Sequence, residues 1–354
     1  MTNKPSSMTD KVQTVLGPIE PSEMGVTITH EHLFIDMKGY SYQPEEATKR
    51  ALWNKPYTMD MVGSYQKNAW FTKDIMELYS EEAATEEIRD FMLAGGGTVV
   101  DTTNWDLGRD PLALARVSRA TGLNIIMGCS HYVPLLRPVD MDDRTEDSIY
   151  ERIVADVTVG VGDTGIKSGV IGEVGNVHPL DDNQTKVLRA SARAHLETGA
   201  PISIHPGGVD ESPMAILEVL AEAGVDLTKV IMGHLDFAVR DTGALKAIAE
   251  TGCVLEYDTI GAEDSGMDYM GIELRVPTDA ERLTAIDFLV EQGYEDRIVL
   301  AQDVCFKRMQ ARTGGHGFAH ILESIVPRLL KRDYSRDQID GFLVRNPARA
   351  LAYS

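Results

Sequence analysis

Eight short apolar runs punctuate the chain, near positions 26–29, 98–101, 124–127, 170–172, 202–204, 230–232, 254–257 and 298–301. They are rich in Val and Ile and mostly lack the strict alternation of a half-exposed strand, so they read as strands covered on both faces, the texture of a parallel sheet. The segments between them carry helical spacing instead. Leu322, Val326, Leu329 and Leu330 fall at i, i+4, i+7 and i+8, and residues 280–292 follow a Pro277, Thr278, Asp279 start signal. Strand and helix alternate throughout, and eight such units predict an α/β fold of the (β/α)8 TIM barrel type. A doubly wound sheet, the competing arrangement, ordinarily uses fewer strands and places its site at a switch point.

Two stretches depart from this rhythm. Residues 1–11 are polar and offer nothing to bury, which predicts a disordered tail and leaves 12–354 as a single domain. Residues 38–80, after the first strand, are too many for a simple βα loop. They are expected to fold over the barrel mouth as a covering segment, with Trp53, Tyr65 and Trp70 giving it an apolar underside.

Composition narrows the class of partner. A net charge of −21, from 55 acidic against 34 basic residues, disfavours nucleic acid and anionic membranes, both of which reward Lys/Arg clusters. The start lacks an apolar leader, and no segment approaches the ~18 unbroken apolar residues of a membrane span. Cys129, Cys253 and Cys305 are far apart and show no C-x-x-C spacing, so neither a disulfide framework nor a thiolate zinc site is suggested, and a reducing cytoplasm fits. The partner left by elimination is a small molecule.

The chemistry lies at the carboxyl ends of the apolar runs. His30 and His32 stand at i and i+2, so on an extended strand they point to one side. The runs ending in Glu173, His205, His234 and Asp303 each close on one ionisable side chain. Imidazoles and carboxylates suit borderline divalent metals such as zinc, and a barrel brings strand tips together on its catalytic face. A carboxylate at the end of a buried strand is costly unless it is paired or coordinated. These six residues are therefore the expected metal ligands, and the pattern is that of a metallohydrolase.

Several longer strings resemble one family. They are Gln13, Thr14, Val15, Leu16, Gly17, Pro18 with Thr29, His30, Glu31, His32; Gly169 to Gly175 around Glu173; Ile204, His205, Pro206; Gly233, His234, Leu235, Asp236; Gln302, Asp303; and Asn346, Pro347, Ala348, Arg349. On these the chain, from about residue 12 to 347, resembles the phosphotriesterase family of the amidohydrolase superfamily. The resemblance implies two divalent metal ions, zinc first with manganese or cobalt as alternatives, held by His30, His32 and Asp303 on one side and by His205 and His234 on the other. Where the organophosphate-hydrolysing members bridge the ions with a carbamylated lysine, this chain has Glu173, which supplies the same two oxygens and one charge. In this it is similar to the phosphotriesterase-related proteins, as it is in Tyr65 to Ala69, Leu255, Glu256, Tyr257, Asp258, and Gly314 to Phe318.

That branch includes hydrolases of small N-acyl amides such as N-acetyltaurine, and sister groups include lactonases. The resemblance therefore implies a hydrolase of a small carboxamide in which a bridging hydroxide attacks the metal-polarised carbonyl. A lactonase or phosphotriesterase using the same metals is the alternative, and a non-catalytic small-molecule binding protein the alternative from another class. A homodimer is implied by family membership alone. Asp303 is the expected proton shuttle and Asp236 the onward relay, although a capping or ligand-orienting role for Asp236 remains open. Tyr132 and Trp105 follow the third and second strands and are expected to line the pocket, with packing an equal possibility for Trp105. Lys307, Arg308 and Arg275 lie in the eighth and seventh loops; they are expected to bind a carboxylate or sulfonate on the leaving amine, or else to be solvated surface cations.

Overall fold

A computed structural model of the chain describes residues 8–40, 43–65, 72–263, 267–269, 272–274 and 276–354. Eight parallel strands appear where the apolar runs lie: β1 Val26–Glu31, β2 Gly96–Asp101, β3 Asn124–Met127, β4 Ile171–Gly175, β5 Ile202–His205, β6 Val230–Met232, β7 Val254–Tyr257 and β8 Ile298–Leu300. They pair in sequence order, β1 to β3 in one sheet and β4 to β8 in another. At the first seam, Cys129 and Gly172 exchange backbone hydrogen bonds of 2.9 and 2.8 Å. At the second, the Asp303 N–H donates to the His30 carbonyl at 3.1 Å. The architecture is a TIM barrel.

Both faces of these strands are apolar, which explains the runs in the sequence. Val100, Ile126, Ile231, Val254 and Val299 form an inner cluster closed by Val12 and by Ala350 and Leu351. Their neighbours Val99, Ile125, Met232, Leu255 and Leu300 join the larger outer cluster with the helices. The two clusters meet the requirement that a parallel sheet be covered on both sides.

The outer helices are α1 Glu81–Leu93, α2 Pro111–Thr121, α3 Glu146–Thr158, α4 Asp182–Thr198, α5 Ser212–Glu222, α6 Thr242–Glu250, α7 Asp279–Glu291 and α8 Val326–Lys331. The start signal before α7 works as a capping box, in which Thr278 accepts from the Glu281 N–H and Glu281 answers at the Thr278 N–H. The last predicted helix is divided. Residues Ile321–Ile325 form a π turn before α8, because Pro327 has no N–H to continue the i→i−4 ladder.

The expected tail is shorter at its inner end. Met8 packs against the outer cluster and the Asp10 N–H donates to Tyr353 at 2.9 Å, so residues 8–11 are anchored by contacts the local sequence could not reveal. Residues 1–7 lie outside the described part. The covering segment is clasped at its base, where Ile35–Asp36 pairs antiparallel with Glu77–Leu78. Between them it forms short helices at Ala47–Trp53 and Val62–Tyr65. Trp70 and the side chain of Tyr65 fall outside the described residues, so only Trp53, whose ring lies 5.3 Å from the Lys73 ammonium, can be placed. Among the described residues no helix is long and apolar enough to cross a membrane.

Candidate metal centre

Strand tips bring His30, His32, Glu173, His205, His234 and Asp303 to one point at the carboxyl end of the barrel. Glu173 lies at the centre. Its Oε1 is 3.3 Å from His32 Nε2, and its Oε2 is 3.4, 3.0 and 3.6 Å from His30 Nε2, His205 Nδ1 and His234 Nε2. Asp303 Oδ1 is 3.2 Å from His32 Nε2. The Glu173 side chain is 1% exposed and that of Asp303 16%, so Asp303 is the carboxylate that meets the mouth.

The backbone is bent to achieve this. His234 and Asp303 both adopt left-handed φ, 55° and 48°, a conformation that costs a residue with a Cβ about 1–3 kcal/mol. Glycines make the close approaches. A Cβ on Gly172, at φ 140°, would lie 2.2 Å from the Ser203 carbonyl, and one on Gly233 would lie 3.0 Å from Asp258 Oδ2.

Each imidazole is oriented from behind. His30 Nδ1 is 3.0 Å from Glu256 Oε2 and 3.2 Å from Asp258 Oδ2; His234 Nδ1 is 2.8 Å from Asp258 Oδ1; His32 Nδ1 is 2.8 Å from the Thr103 hydroxyl. These bonds engage the outer nitrogen and turn Nε2 inward, the orientation that metal-binding histidines require. His205 is reversed, with Nδ1 facing the site beside the Tyr132 hydroxyl at 3.2 Å.

The electrostatics call for positive charge. Burial pushes His30, His32 and His234 down, but Glu173, Asp303 and Asp258 outweigh it, raising His32 to about 9, His234 to about 10 and His30 well above its ordinary value. Burial and the neighbouring His234 charge instead lower His205 to about 4. Against burial, the imidazoles hold Glu173 and Asp303 below the usual carboxylate range. His205 Nδ1 and His234 Nε2 face each other at 2.7 Å, and His30 Nε2 is buried without a hydrogen-bond partner. Inward-facing imidazole nitrogens, one of them unpartnered among the described residues, and two carboxylates form an N/O donor set that fits divalent cations.

The other expected site residues part company. Trp105 points away from the centre: its indole N–H donates to Asp156 at 2.7 Å on α3, and the Arg152 guanidinium lies 3.8 Å from the centroid of its ring. That is packing between barrel and helix, because the chain turns outward just after β2. Asp236 Oδ2 takes the Arg282 Nε–H at 2.9 Å and the Thr259 N–H at 2.9 Å, and no bond joins it to Asp303 among the described residues. Lys307 Nζ reaches Asp74 Oδ1 in the covering segment at 2.6 Å. The Arg308 guanidinium carbon lies 5.7 Å from the Phe306 ring centroid. Arg275 lies outside the described residues.

Sequence reasoning did not single out Glu256, Asp258, Thr103 or Arg282. The first two were open to the rule that found the ligands, since Val254, Leu255, Glu256, Tyr257, Asp258 is also an apolar run closing on carboxylates. Strand alternation turns Val254, Glu256 and Asp258 inward together.

A TIM barrel whose strand tips gather four histidines and two carboxylates has the build of a metal-dependent hydrolase. Residues 10–351 match the Phosphotriesterase family, and the chain belongs to that family. It is 38% identical over 349 residues to an N-acetyltaurine hydrolase of Tetraodon nigroviridis, covering 98% of this chain and 99% of that one. The human N-acetyltaurine hydrolase is 37% identical over the same shares. Among solved structures, a resiniferatoxin-binding protein from Rhodobacter sphaeroides superposes with a TM-score of 0.93 at 30% identity, covering 99% of this chain and 98% of that one. An organophosphorus hydrolase from Deinococcus radiodurans gives 0.77 at 28% identity, with 99% of each chain covered. Proteins of this family use a binuclear divalent metal centre, and the present chain is a metal-dependent hydrolase.

Proposed function

We propose that the centre holds two divalent ions, zinc or else manganese or cobalt, and hydrolyses a small N-acyl carboxamide of the N-acetyltaurine type. His30, His32 and Asp303 would hold one ion and His205 and His234 the other, with Glu173 serving both. Ions bound there would polarise the scissile carbonyl and lower the pKa of the attacking water toward neutrality.

The chain's own groups divide the remaining work. Asp303, the more exposed carboxylate of the centre, takes the proton of the attacking water and returns it to the departing amine nitrogen. Tyr132, with its hydroxyl beside His205, donates to the substrate oxygen. Asp236 serves better as an anchor than as a relay, because Arg282 compensates its charge in the folded protein. Arg308 is the cation proposed to meet an acidic group on the leaving amine, joined by Arg275; Lys307 is engaged by Asp74. Trp105 supports the wall from outside.

Full-length similarity to the N-acetyltaurine hydrolases is the observation that carries the amide reading. The likeness to an organophosphorus hydrolase favours lactone or phosphotriester cleavage as a second reading, and the likeness to a resiniferatoxin-binding protein favours a binding role. The test is to assay the purified protein on N-acetylated amino-sulfonates and amino acids, neutral amides of equal size, lactones and aryl phosphotriesters, with metal content measured alongside. The acidic N-acyl amides should give the highest kcat/KM. Faster lactone or phosphotriester turnover removes the amide reading, and tight binding without turnover of any class favours the binding role. A cytoplasmic homodimer completes the proposal, supported by the family resemblance and by three buried free thiols. Sedimentation at working concentration checks the dimer.

A further inference from the structure

Glu31 lies between the two strand-one histidines, is fully buried, and has no cationic partner among the described residues. A buried carboxyl group is costly to ionise, and burial raises this one to about 8 against the two backbone amides across the β8–β1 seam that bond its oxygens. Its Oε1 accepts the Gln302 N–H at 2.8 Å and its Oε2 the Val304 N–H at 2.9 Å. The residue between those two is Asp303, whose own N–H donates to the His30 carbonyl at 3.1 Å. Three consecutive amides thus face strand one, whereas a regular strand alternates them between its two edges. The chain manages this only by curling, and Asp303 carries the left-handed φ of 48° at the curl. Two amides flanking a left-handed residue and converging on one carboxyl group make a backbone nest.

We propose that Glu31 is a positioning residue: its carboxylate holds the curl at residues 302–304 and so aims the Asp303 side chain into the metal centre. No neutral side chain of the same length does this equally well. Glutamine keeps one acceptor and turns an NH2 donor toward the second amide. The inference rests on the reading of Asp303 as a metal ligand, and it is independent of which substrate is cleaved.

The experiment compares Glu31→Gln, Glu31→Asp and Asp303→Asn with wild type. Apoprotein is titrated with cobalt(II) and followed by its visible absorption, amide exchange at residues 302–304 is measured without metal, and kcat and KM are determined on the best substrate. Glu31→Gln should weaken binding of one cobalt ion by about 10–100-fold, the range seen when a group supporting a metal ligand is removed. It should also alter the absorption spectrum, speed exchange at 302–304, and lower kcat more than KM rises. Glu31→Asp, which keeps both carboxyl oxygens, should recover part of each. A Glu31→Gln protein with wild-type cobalt affinity, spectrum and exchange overturns the proposal. So does a folded Glu31→Asp protein no better than Glu31→Gln, since the second carboxyl oxygen would then not matter. If Glu31→Gln does not fold, Glu31→Asp alone decides: intermediate cobalt affinity supports the clamp and unchanged affinity rejects it. Asp303→Asn separates the premise from the inference. Normal cobalt binding there overturns the reading of Asp303 and the clamp with it, whereas impairment there with an unaffected Glu31→Gln overturns the clamp alone.

Discussion

At the strand tips, ionisable side chains are buried and braced by neighbours: Asp258 orients two histidines, Thr103 a third, and Arg282 compensates Asp236 from α7 with both side chains at most 1% exposed. Across the mouth the covering segment is held differently. Its charged ties include Lys307 to Asp74, with side chains 29% and 25% exposed, and Lys38 to Glu77, at 39% and 19%. Buried charge pairs are rigid and costly to disturb, while half-exposed pairs are worth little and break easily. The proposed metal centre therefore sits on the stiff part of the molecule, and the covering segment is the part that can yield.

The sharpest test of that contrast is to damage the stiff part at its centre. Asp303→Asn or His205→Ala should lower kcat/KM by about a thousandfold, the several kcal/mol that metal-assisted charge stabilisation supplies, with fewer ions bound and an unchanged circular dichroism spectrum. Steady-state kinetics with elemental analysis checks it, and a variant keeping full metal and activity would remove that residue from the ligand set. Next in size is Arg282→Met. It leaves Asp236 buried without its cation, while Asp279 keeps His320 and Arg328, and it should cost about 3 kcal/mol of unfolding free energy, read from urea denaturation.

Much of the stiff part was legible in the sequence, for a physical reason. A strand covered on both faces cannot hide an ionisable residue cheaply, so Val170 with Ile171, or Ile231 with Met232, marks the strand, and the ionisable side chain that closes it, Glu173 or His234, marks the site. The same logic stops where partners are remote in sequence. Lys307 was expected at the substrate because Asp74, its partner, is 233 positions away. Arg282 carries no signal in the sequence, because Asp236, its partner, is 46 positions away. For Trp105 pocket lining and packing stayed equally open, because the sequence does not say on which side of the barrel wall a chain leaves its strand. Glu31 was hidden by its neighbours, since a motif of two histidines draws attention to the alternate positions.

A third, smaller effect lies in acid. Burial raises the Asp279 carboxyl, but the His320 hydrogen bond, the Gly261 amide and the Arg282 guanidinium outweigh it and hold the group at about 2. A folded-state value depressed below the ordinary 3.8 means stability that is present above that value and lost as pH falls toward 2. The contribution is about 2 kcal/mol by linkage. Urea unfolding of wild type and Asp279→Asn should show the wild-type margin shrinking between about pH 5 and pH 2.5 by most of that amount. A margin that does not change with pH would mean that Asp279 is not the ionised centre of this cluster.

The smallest expected effect tests the yielding part directly. Lys307 and Asp74 are the described charge pair between the eighth loop and the covering segment, and Asp74 also accepts the Tyr57 N–H at 2.8 Å through its other oxygen. Because both side chains of the pair are about a quarter exposed, Lys307→Met should change unfolding free energy by less than about 1 kcal/mol. Stability is thus the wrong place to look. If the pair holds the cover against the mouth, its loss lets the segment open more often, and the substrate meets a less ordered site. KM should rise by a few-fold while kcat stays within about twofold, since no group of the metal centre has moved. Asp74→Asn should do the same and slightly more, because it also weakens the bond to Tyr57. The double variant should match Asp74→Asn alone, as two changes that break one tie are not additive. A fall in kcat with KM unchanged would place Lys307 at the chemistry, and would mean that cover and strand tips form one rigid unit.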